Sequence, residues 1–236
     1  MLEEAQVRAM FDRIAGLYDR MNSLMTAGMH HRWRARAADL AEVPEGGTAL
    51  DVATGTGDLA LELARRAGPE GVVIGVDFSE RMLELARAKA SLVQSPGSSR
   101  LRFEPGNALE LPYPDDQFDA ATVGFGARNF ASLERGLREM VRVVRPGGRV
   151  VVLEITTPTR PPLSYFFDLW FDRAVPALGR LAGDAAAYSY LPNSVRRFPG
   201  PEQLAGLMSE CGLAQIRYVL TAGGIIALHV GVVSDG

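Results

Sequence analysis

The fold is decided by one stretch of the sequence, Asp51-Val52-Ala53-Thr54-Gly55-Thr56-Gly57-Asp58. It joins an apolar strand predicted at 48–53 to an amphipathic helix predicted near 58–67. Gly55 and Gly57 carry no Cβ atom, so the backbone can turn tightly there and come close to a ligand. Doubly wound α/β proteins hold nucleotide-like cofactors at such a turn. The stretch therefore predicts both this fold class and a cofactor site.

Two carboxylates, Asp51 and Asp58, flank the glycine-rich turn. They would repel a pyrophosphate but suit ribose hydroxyls or a cationic ligand, so we predict a cofactor without phosphates. Taken alone, residues 55–60 also fit the loose G-x-G-x-x-G/A dinucleotide fingerprint, and Asp77 lies about 20 residues further on, where a ribose-binding acid belongs. At this point an NAD-dependent oxidoreductase remains an alternative.

Apolar segments outside the turn alternate between strand and helix patterns. Strands are predicted near 48–53, 72–77, 100–104, 118–124 and 149–155, with helices near 58–67, 79–91 and 132–144 between them. This alternation indicates parallel βαβ units. Residues 4–40 read as an N-terminal helical arm, 162–175 as an aromatic helix, and 201–211 as a further helix. Two β-rich runs, 214–221 and 225–233, are joined by glycines and predict an antiparallel hairpin.

Composition narrows the class of protein. The chain has 236 residues, 47% of them hydrophobic and 22% charged, which predicts one globular domain with a full core. A net charge of −3 makes nucleic acid a poor partner. The single cysteine, Cys211, excludes an internal disulfide and a cysteine-based zinc site, and we expect no metal. The sequence shows neither a membrane-span pattern nor a signal peptide, so we expect a cytoplasmic protein.

Five motifs occur in a fixed order: D-x-x-x-G-x-G, V-D-F-S, G-N-A-x-x-L-P, F-D and R-P-G-G. In this order they resemble class I S-adenosylmethionine-dependent methyltransferases. The resemblance implies a Rossmann-like α/β fold whose seven-stranded, mostly parallel sheet has one antiparallel strand. We expect a single methyltransferase domain made of a helical arm or lid (1–44), a cofactor-binding core (45–157), a substrate-lid insertion (158–200), and a C-terminal helix and hairpin (201–236).

The same resemblance implies S-adenosylmethionine as cofactor and assigns residues to it. The expected cofactor-binding residues are Thr56, Gly55 and Gly57 around the amino-acid part, Asp77 on the ribose hydroxyls, Asn107 and Ala108 beside the adenine, Gly124 at the methionine end, and Asp51. Carboxylates accept from vicinal hydroxyls, and a short amide can read an adenine edge. Two alternatives stay open: Asp77 could cap the helix that begins at Glu80, and Asn107 could be a turn residue.

Longer stretches narrow the resemblance to one family. Residues 18–33, 124–129, 142–156 and 221–229 are similar to the menaquinone/ubiquinone biosynthesis C-methyltransferase family, and the similarity covers about residues 7–232. It implies methyl transfer to a ring carbon of the prenylated quinol demethylmenaquinol, giving menaquinol. The benzoquinol precursor of ubiquinone is the close alternative, and a cofactor-binding module without catalysis is a third. The departures from the family pattern are Thr26, Thr156, Arg145 and Gly124, the last of which stands where many members have serine.

Ring methylation needs a base or a cation that favours the phenolate, because a phenol has a pKa near 10. Arg128 is the first candidate: with Asn129 assisting, it would stabilise the anion or orient a proton-accepting water, and an ion pair with Glu134 or Glu139 is the alternative. Tyr18 and Asp19 would either close over the cofactor as part of a lid or belong to an N-terminal arm that packs against the core. His30 would either shuttle a proton or be a packed or capping residue.

Three further assignments concern residues outside the expected cofactor and catalytic sites. His229 is predicted to be structural, Glu154 to face the substrate or pair with an arginine, and 115–117 to be a solvated loop. The aromatic segment 162–175 would form either a wall for a prenyl tail or a core helix. A prenyl tail sits in a bilayer, so we predict weak peripheral membrane contact, with Arg180, Arg196 and Arg197 near headgroups. The sequence leaves the oligomeric state, including a homodimer, open.

Overall fold

The computed structural model describes residues 4–93, 100–158, 161–170, 173 and 185–234. Its helices are α1 (Glu4–Thr26), α2 (Met29–Ala41), α3 (Asp58–Ala67), α4 (Glu80–Val93), α5 (Leu133–Val143), α6 (Leu163–Leu169), α7 (Ala185–Arg197) and α8 (Pro201–Glu210). Its strands are β1 (Thr48–Val52), β2 (Val72–Asp77), β3 (Arg100–Pro105), β4 (Phe118–Gly124), β5 (Val144–Ile155), β6 (Leu213–Thr221) and β7 (Ile226–Val233). Phe171, Arg180 and the loop 94–99 lie outside the described residues.

The seven strands form one sheet in the order β3-β2-β1-β4-β5-β7-β6. β1 to β5 run parallel to one another, and β7 runs antiparallel to both β5 and β6. The prediction of one antiparallel strand is therefore confirmed. The hairpin is confirmed as well, since a short 3-10 turn, Ala222–Gly224, joins β6 to β7.

Helices cover both faces of the sheet because alternate strand residues point to opposite sides. On β1, Ala49 packs with α2, α3 and α4, whereas Leu50 packs with α5 and α8. Helix α2 belongs to the same core as Ala49, since its residues Trp33, Ala37 and Ala38 are buried there. No described helix is long and apolar enough to cross a bilayer.

The structure differs from the predicted elements in three places. The N-terminal arm is two helices, because Ala27 and Gly28 take left-handed backbone conformations (φ 48° and 75°) that end α1. β5 begins at Val144, where the Arg-Pro-Gly-Gly segment pairs irregularly with β4. α7 was expected only as a connection, since its alanine-rich start carries little apolar periodicity.

The strand order reverses between β1 and β4, and ligands of α/β sheets bind beside the carboxyl ends of strands at such a point. Each of these two strands is followed by a non-glycine residue with a left-handed backbone, Ala53 (φ 52°) and Phe125 (φ 62°). Such conformations carry strain that concentrates at functional sites. Gly57 also has a positive φ (82°), and a Cβ there would lie 2.8 Å from the Phe103 ring.

Candidate active site

Two adjoining cavities open at this edge of the sheet. The polar cavity lies over the glycine turn and the ends of β1, β2 and β4, with about 930 Å³ of empty volume. The apolar cavity lies under α1 and α6 and is larger, at about 1470 Å³. Phe11, Tyr18, Arg34 and Phe125 line both cavities. The two cavities therefore adjoin, with these four residues forming a shared wall.

Asp51 lies at the base of the polar cavity and is 1% exposed. Its carboxylate accepts hydrogen bonds from Thr54 Oγ1 (2.6 Å) and Thr122 Oγ1 (2.8 Å). Burial raises the pKa of Asp51 to about 6 despite these two donors. A buried carboxylate at this position favours a positively charged ligand group, as the sequence predicted for this end of the site.

Asp77 ends β2 and lines the same cavity. Its Oδ2 accepts from the Gly55 amide (2.8 Å) and its Oδ1 from the Ser79 amide (2.9 Å). Burial raises the pKa of Asp77 to about 6. The side chain thus accepts a hydrogen bond at the start of α4, as the capping alternative supposed. It also fixes the glycine turn through Gly55, and it lines the cavity. A role on ribose hydroxyls stays a prediction that this placement allows.

The adenine end was predicted at Asn107 and Ala108, and both line the polar cavity with Phe78 and Met82. Asn107 Oδ1 also accepts from the Leu109 amide (2.9 Å), which is the contact of a turn residue. Gly124 lines the cavity too. A Cβ at Gly124 would lie 3.0 Å from Leu59 Cδ2, so a serine here would require Leu59 to shift slightly.

Helix α1 covers the polar cavity and is held there by two polar contacts. Ser79 Oγ donates to Asp12 Oδ1 (2.5 Å), and Thr56 Oγ1 donates to Asp19 Oδ1 (2.6 Å). Lys89 joins the second contact by donating to Thr56 (3.1 Å) and pairing with Asp19 (2.7 Å). Tyr18 lies on the wall that this helix gives to both cavities. The placement fits both predicted roles of Tyr18 and Asp19, a lid over the cofactor and an arm packed against the core, so the lid stays a prediction.

Arg128 lines the apolar cavity. Its Nη1 donates to Glu154 Oε1 (2.7 Å), and both side chains are almost fully buried. The alternative pairing with Glu134 or Glu139 is wrong, because those glutamates pair with Arg138 and Arg142. Within the described part of the chain, Arg128 Nε is buried without a hydrogen-bond partner. Arg128 therefore gives this cavity a positively charged side chain, whose Nε atom is itself shielded from solvent.

Asn129 lies on the other side of the shared wall from Arg128. It lines the polar cavity, and its Oδ1 accepts from the Tyr190 hydroxyl of α7 (3.2 Å). In the aromatic segment, Phe167 and Trp170 line the apolar cavity, whereas Tyr165 is exposed. This segment thus supplies part of the cavity wall, and Phe167 is also buried in an apolar cluster with Val195, so both of its interpretations hold in part.

His30 lines the apolar cavity, but both of its ring nitrogens are engaged. Nε2 lies 3.1 Å from Ser23 Oγ, and Nδ1 contacts the Arg34 guanidinium. Burial, followed by the nearby charge of Arg34, lowers the pKa of His30 to about 4. These contacts favour the packing interpretation of His30 over a proton shuttle. His229 is buried in β7 with Nε2 2.9 Å from the Pro201 carbonyl oxygen, which fits a structural role.

Three side chains, His30, His31 and Asp58, bring ligand atoms within 4.8 Å of one another. The Arg34 guanidinium already contacts His30 and lies 3.6 Å from Asp58. A metal ion bound there would lie beside this fixed positive charge, so the group is a poor cation site.

Sequence reasoning missed Arg34 altogether. It lies on α2 one turn after His30, is 6% exposed, and stands over the Phe125 ring at 5.3 Å from the centroid. Among the described lining residues, Arg34, Asp51 and Asp77 are the charged side chains of the polar cavity. Two buried carboxylates and one cation do not suit a pyrophosphate. They suit a ribose-containing ligand that carries positive groups and one carboxylate, which is the composition of S-adenosylmethionine.

Comparison with known proteins agrees with this chemistry. The model of the ubiE/COQ5 methyltransferase family matches residues 1–233. A demethylmenaquinone methyltransferase of Thermus thermophilus is 46% identical over 94% of this chain and 99% of its own. A ubiquinone/menaquinone biosynthesis C-methyltransferase UbiE of Geobacter sulfurreducens is 41% identical over 96% of this chain and 88% of its own.

Solved structures agree on the fold. A crystal structure of a SAM-dependent methyltransferase from Thermotoga maritima, a possible histamine N-methyltransferase, shares the fold with a TM-score of 0.63 at 20% identity, covering 95% of this chain and 98% of that one. The protein is an S-adenosylmethionine-dependent C-methyltransferase with the Rossmann-like fold of class I enzymes. The chain belongs to the ubiE/COQ5 methyltransferase family.

Proposed function

We propose that the protein transfers a methyl group from S-adenosylmethionine to a ring carbon of demethylmenaquinol, giving menaquinol and S-adenosylhomocysteine. The observation that carries this proposal is the large apolar cavity that shares a wall with the polar cavity. Its methionine, aromatic and isoleucine lining suits a fused ring with a prenyl tail. The names of the relatives support the same acceptor, and one of those names also covers ubiquinone biosynthesis.

The reaction makes clear what the protein must supply. S-adenosylmethionine contributes an electrophilic methyl group on a sulfonium sulfur. The ring carbon forms a bond to this methyl, the carbon–sulfur bond breaks with its electron pair staying on sulfur, and the ring carbon then loses its proton. The protein therefore has to align the two ligands across the shared wall, exclude water and favour the ring phenolate.

Arg128 is the residue that fits the last requirement. Among the described residues its buried Nε has no hydrogen-bond partner, and such a donor costs about 1–3 kcal/mol when it stays unsatisfied. A phenolate oxygen in the apolar cavity would be stabilised by the positive charge of this guanidinium, which lines the cavity. The Glu154 carboxylate holds the guanidinium in place. A guanidinium does not act as an ordinary base, so a water molecule would take the proton, and the role proposed for Asn129, from the polar-cavity side, is to orient this water.

Binding of the methyl donor should weaken as the pH falls below 6. Asp51 and Asp77 have pKa values raised to about 6, so both lose their charge between pH 7 and pH 5. Positive ligand groups and hydroxyl donors favour the charged carboxylates, and each carboxyl that must be ionised weakens the affinity by about 10-fold at pH 5. Isothermal titration with S-adenosylmethionine from pH 5 to 8, in buffers with different heats of protonation, measures this effect and the protons released.

Adenosine provides the matched control ligand. It has the ribose but not the methionine end, so its affinity should follow the Asp77 titration alone and fall less steeply than that of S-adenosylmethionine. If both affinities stay constant from pH 7 to pH 5, neither carboxyl is ionised for binding and the assigned roles are wrong.

Methyl transfer to defined acceptors tests the proposed function directly. The purified protein is incubated with S-adenosylmethionine and either demethylmenaquinol or the demethylated benzoquinol precursor of ubiquinone, and the products are separated by mass spectrometry. Faster turnover of demethylmenaquinol supports the proposal, and faster turnover of the benzoquinol supports the alternative. If neither quinol is methylated, the proposed acceptor is wrong. Tight NADH binding with no S-adenosylhomocysteine binding would instead favour an oxidoreductase.

Cytoplasmic localisation, weak peripheral membrane contact and a homodimer stay predictions. Arg197 lies over the Tyr190 ring at 6.0 Å from the centroid, beside the apolar cavity, which would bring a positive charge near the surface where a prenyl tail enters. The division of the domain into arm, core, lid insertion and C-terminal part also stays a proposal.

A further inference from the structure

Arg34 is a buried cation, and among the described residues no carboxylate lies within hydrogen-bond distance of it. Its side chain is 7% exposed, and Asp58, the nearest carboxylate among the described residues, lies 3.6 Å away. Asp58 is itself bonded to Lys89 at 2.5 Å. The closest partner of Arg34 is the neutral ring of His30. Asp58 pairs with both Lys89 and Arg34 but lies outside hydrogen-bond distance of Arg34, so this guanidinium keeps hydrogen-bonding capacity for an anion supplied from outside the chain.

The position of Arg34 indicates where that anion would lie. Arg34 is the basic side chain among the described residues that line the polar cavity, and it stands at the wall shared with the apolar cavity. Asp51 lies on the same side of the polar cavity, close enough for Arg34 to lower the pKa of Asp51. This end of the cavity therefore presents one positive and one negative group. The methionine part of the methyl donor presents the complementary set, a carboxylate and an ammonium.

We infer that Arg34 binds the α-carboxylate of the methionine part of S-adenosylmethionine, with Asp51 near its positive groups. A planar guanidinium can donate two hydrogen bonds to one carboxylate, which fixes orientation as well as adding affinity. The competing assignment is to an oxygen of the quinol, since Arg34 also borders the apolar cavity. Arg128 already brings a cation to that cavity, whereas Arg34 is the sole basic side chain among the described residues that line the polar cavity. The inference rests on the methyl donor and not on the proposed acceptor.

Two ligands that differ in the amino-acid part separate these roles. S-adenosylhomocysteine carries the carboxylate, and 5′-methylthioadenosine has the same adenine, ribose and sulfur without it. Isothermal titration of Arg34→Met should show affinity for S-adenosylhomocysteine weakened about 10- to 100-fold, the usual range for a lost charge-assisted hydrogen bond. The affinity for 5′-methylthioadenosine should change by less than about 2-fold. Arg34→Lys, which keeps the charge, should recover part of the loss.

Arg36→Met is the matched control, because Arg36 is exposed on the same helix. It should bind both ligands as the unchanged protein does. Equal weakening of both ligands by Arg34→Met would overturn the inference, because the loss would then not depend on the carboxylate. Unchanged binding of both ligands would also overturn the inference and would favour the competing assignment of Arg34 to an oxygen of the quinol. Neither result depends on methyl transfer, so the inference can fail while the proposed acceptor stands.

Discussion

Replacement of Arg128 by methionine is expected to lower kcat for demethylmenaquinol by about 100- to 1000-fold, the range seen when a donor that stabilises a developing anion is removed. The affinity for S-adenosylhomocysteine should stay unchanged, because Arg128 lines the apolar cavity and is not among the lining residues of the polar cavity. Steady-state kinetics and isothermal titration measure the two effects separately. A fall in kcat with unchanged cofactor affinity would identify Arg128 as acting on the acceptor.

Folding must be controlled in this experiment, because Arg128 and Glu154 form a buried pair. Removing one partner of such a pair leaves a buried charge and costs about 3–5 kcal/mol of stability. The double variant Arg128→Met/Glu154→Gln removes both charges and should melt closer to the unchanged protein while remaining inactive. Glu154→Gln alone keeps the guanidinium and should retain measurable turnover. Turnover by the double variant within about 10-fold of the unchanged protein would show that the assigned role is wrong.

The second large effect is expected for Asp77→Asn, which should weaken binding of S-adenosylhomocysteine about 100-fold. The carboxylate accepts from two backbone amides and, by the predicted role, from the ribose hydroxyls. An asparagine offers one acceptor oxygen, and its NH₂ group would face an amide that also donates. Unlike Arg34→Met, this variant should weaken 5′-methylthioadenosine by the same factor, because both ligands carry the ribose.

Dideoxyadenosine separates the ribose contact from the structural contacts of Asp77. If Asp77 binds the 2′- and 3′-hydroxyls, Asp77→Asn should cost far more affinity for adenosine than for 2′,3′-dideoxyadenosine. An equal loss for the two nucleosides would mean that the substitution acts only through the glycine turn. Asp115→Asn, which changes an exposed loop carboxylate, should leave both affinities unchanged.

The parts of the site that the sequence predicts are those fixed by local structure. The glycine turn follows β1 directly, Asp77 ends β2 and Asn107 follows β3, and the carboxyl ends of parallel strands meet at one edge of a sheet. Residues assigned to strand ends therefore fall on the same cavity without any knowledge of side-chain contacts. The final hairpin is predictable for a similar reason, because two apolar runs joined by glycines pair with each other.

Contacts between distant segments were not predictable in this way. The Arg128 partner is Glu154 on the neighbouring strand β5, whereas the sequence suggested Glu134 or Glu139 on the helix that follows. Arg34 was missed because helix periodicity shows that a face is buried but not which cavity the face borders. Tyr190 contacts Asn129 from a helix whose alanine-rich start resembled a connection. Each of these contacts depends on tertiary packing, which local patterns do not encode.

Helix α1 closes the polar cavity through Asp12 and Asp19 and gives Phe11 and Tyr18 to the wall of both cavities. A single displacement of this helix would thus expose the donor and the acceptor together. Exchange of S-adenosylhomocysteine for a new molecule of S-adenosylmethionine would then also weaken the binding of the quinol product. The order in which the two products leave, and the turnover rate if their departure is slow, would be governed by the few hydrogen bonds that hold one helix in place.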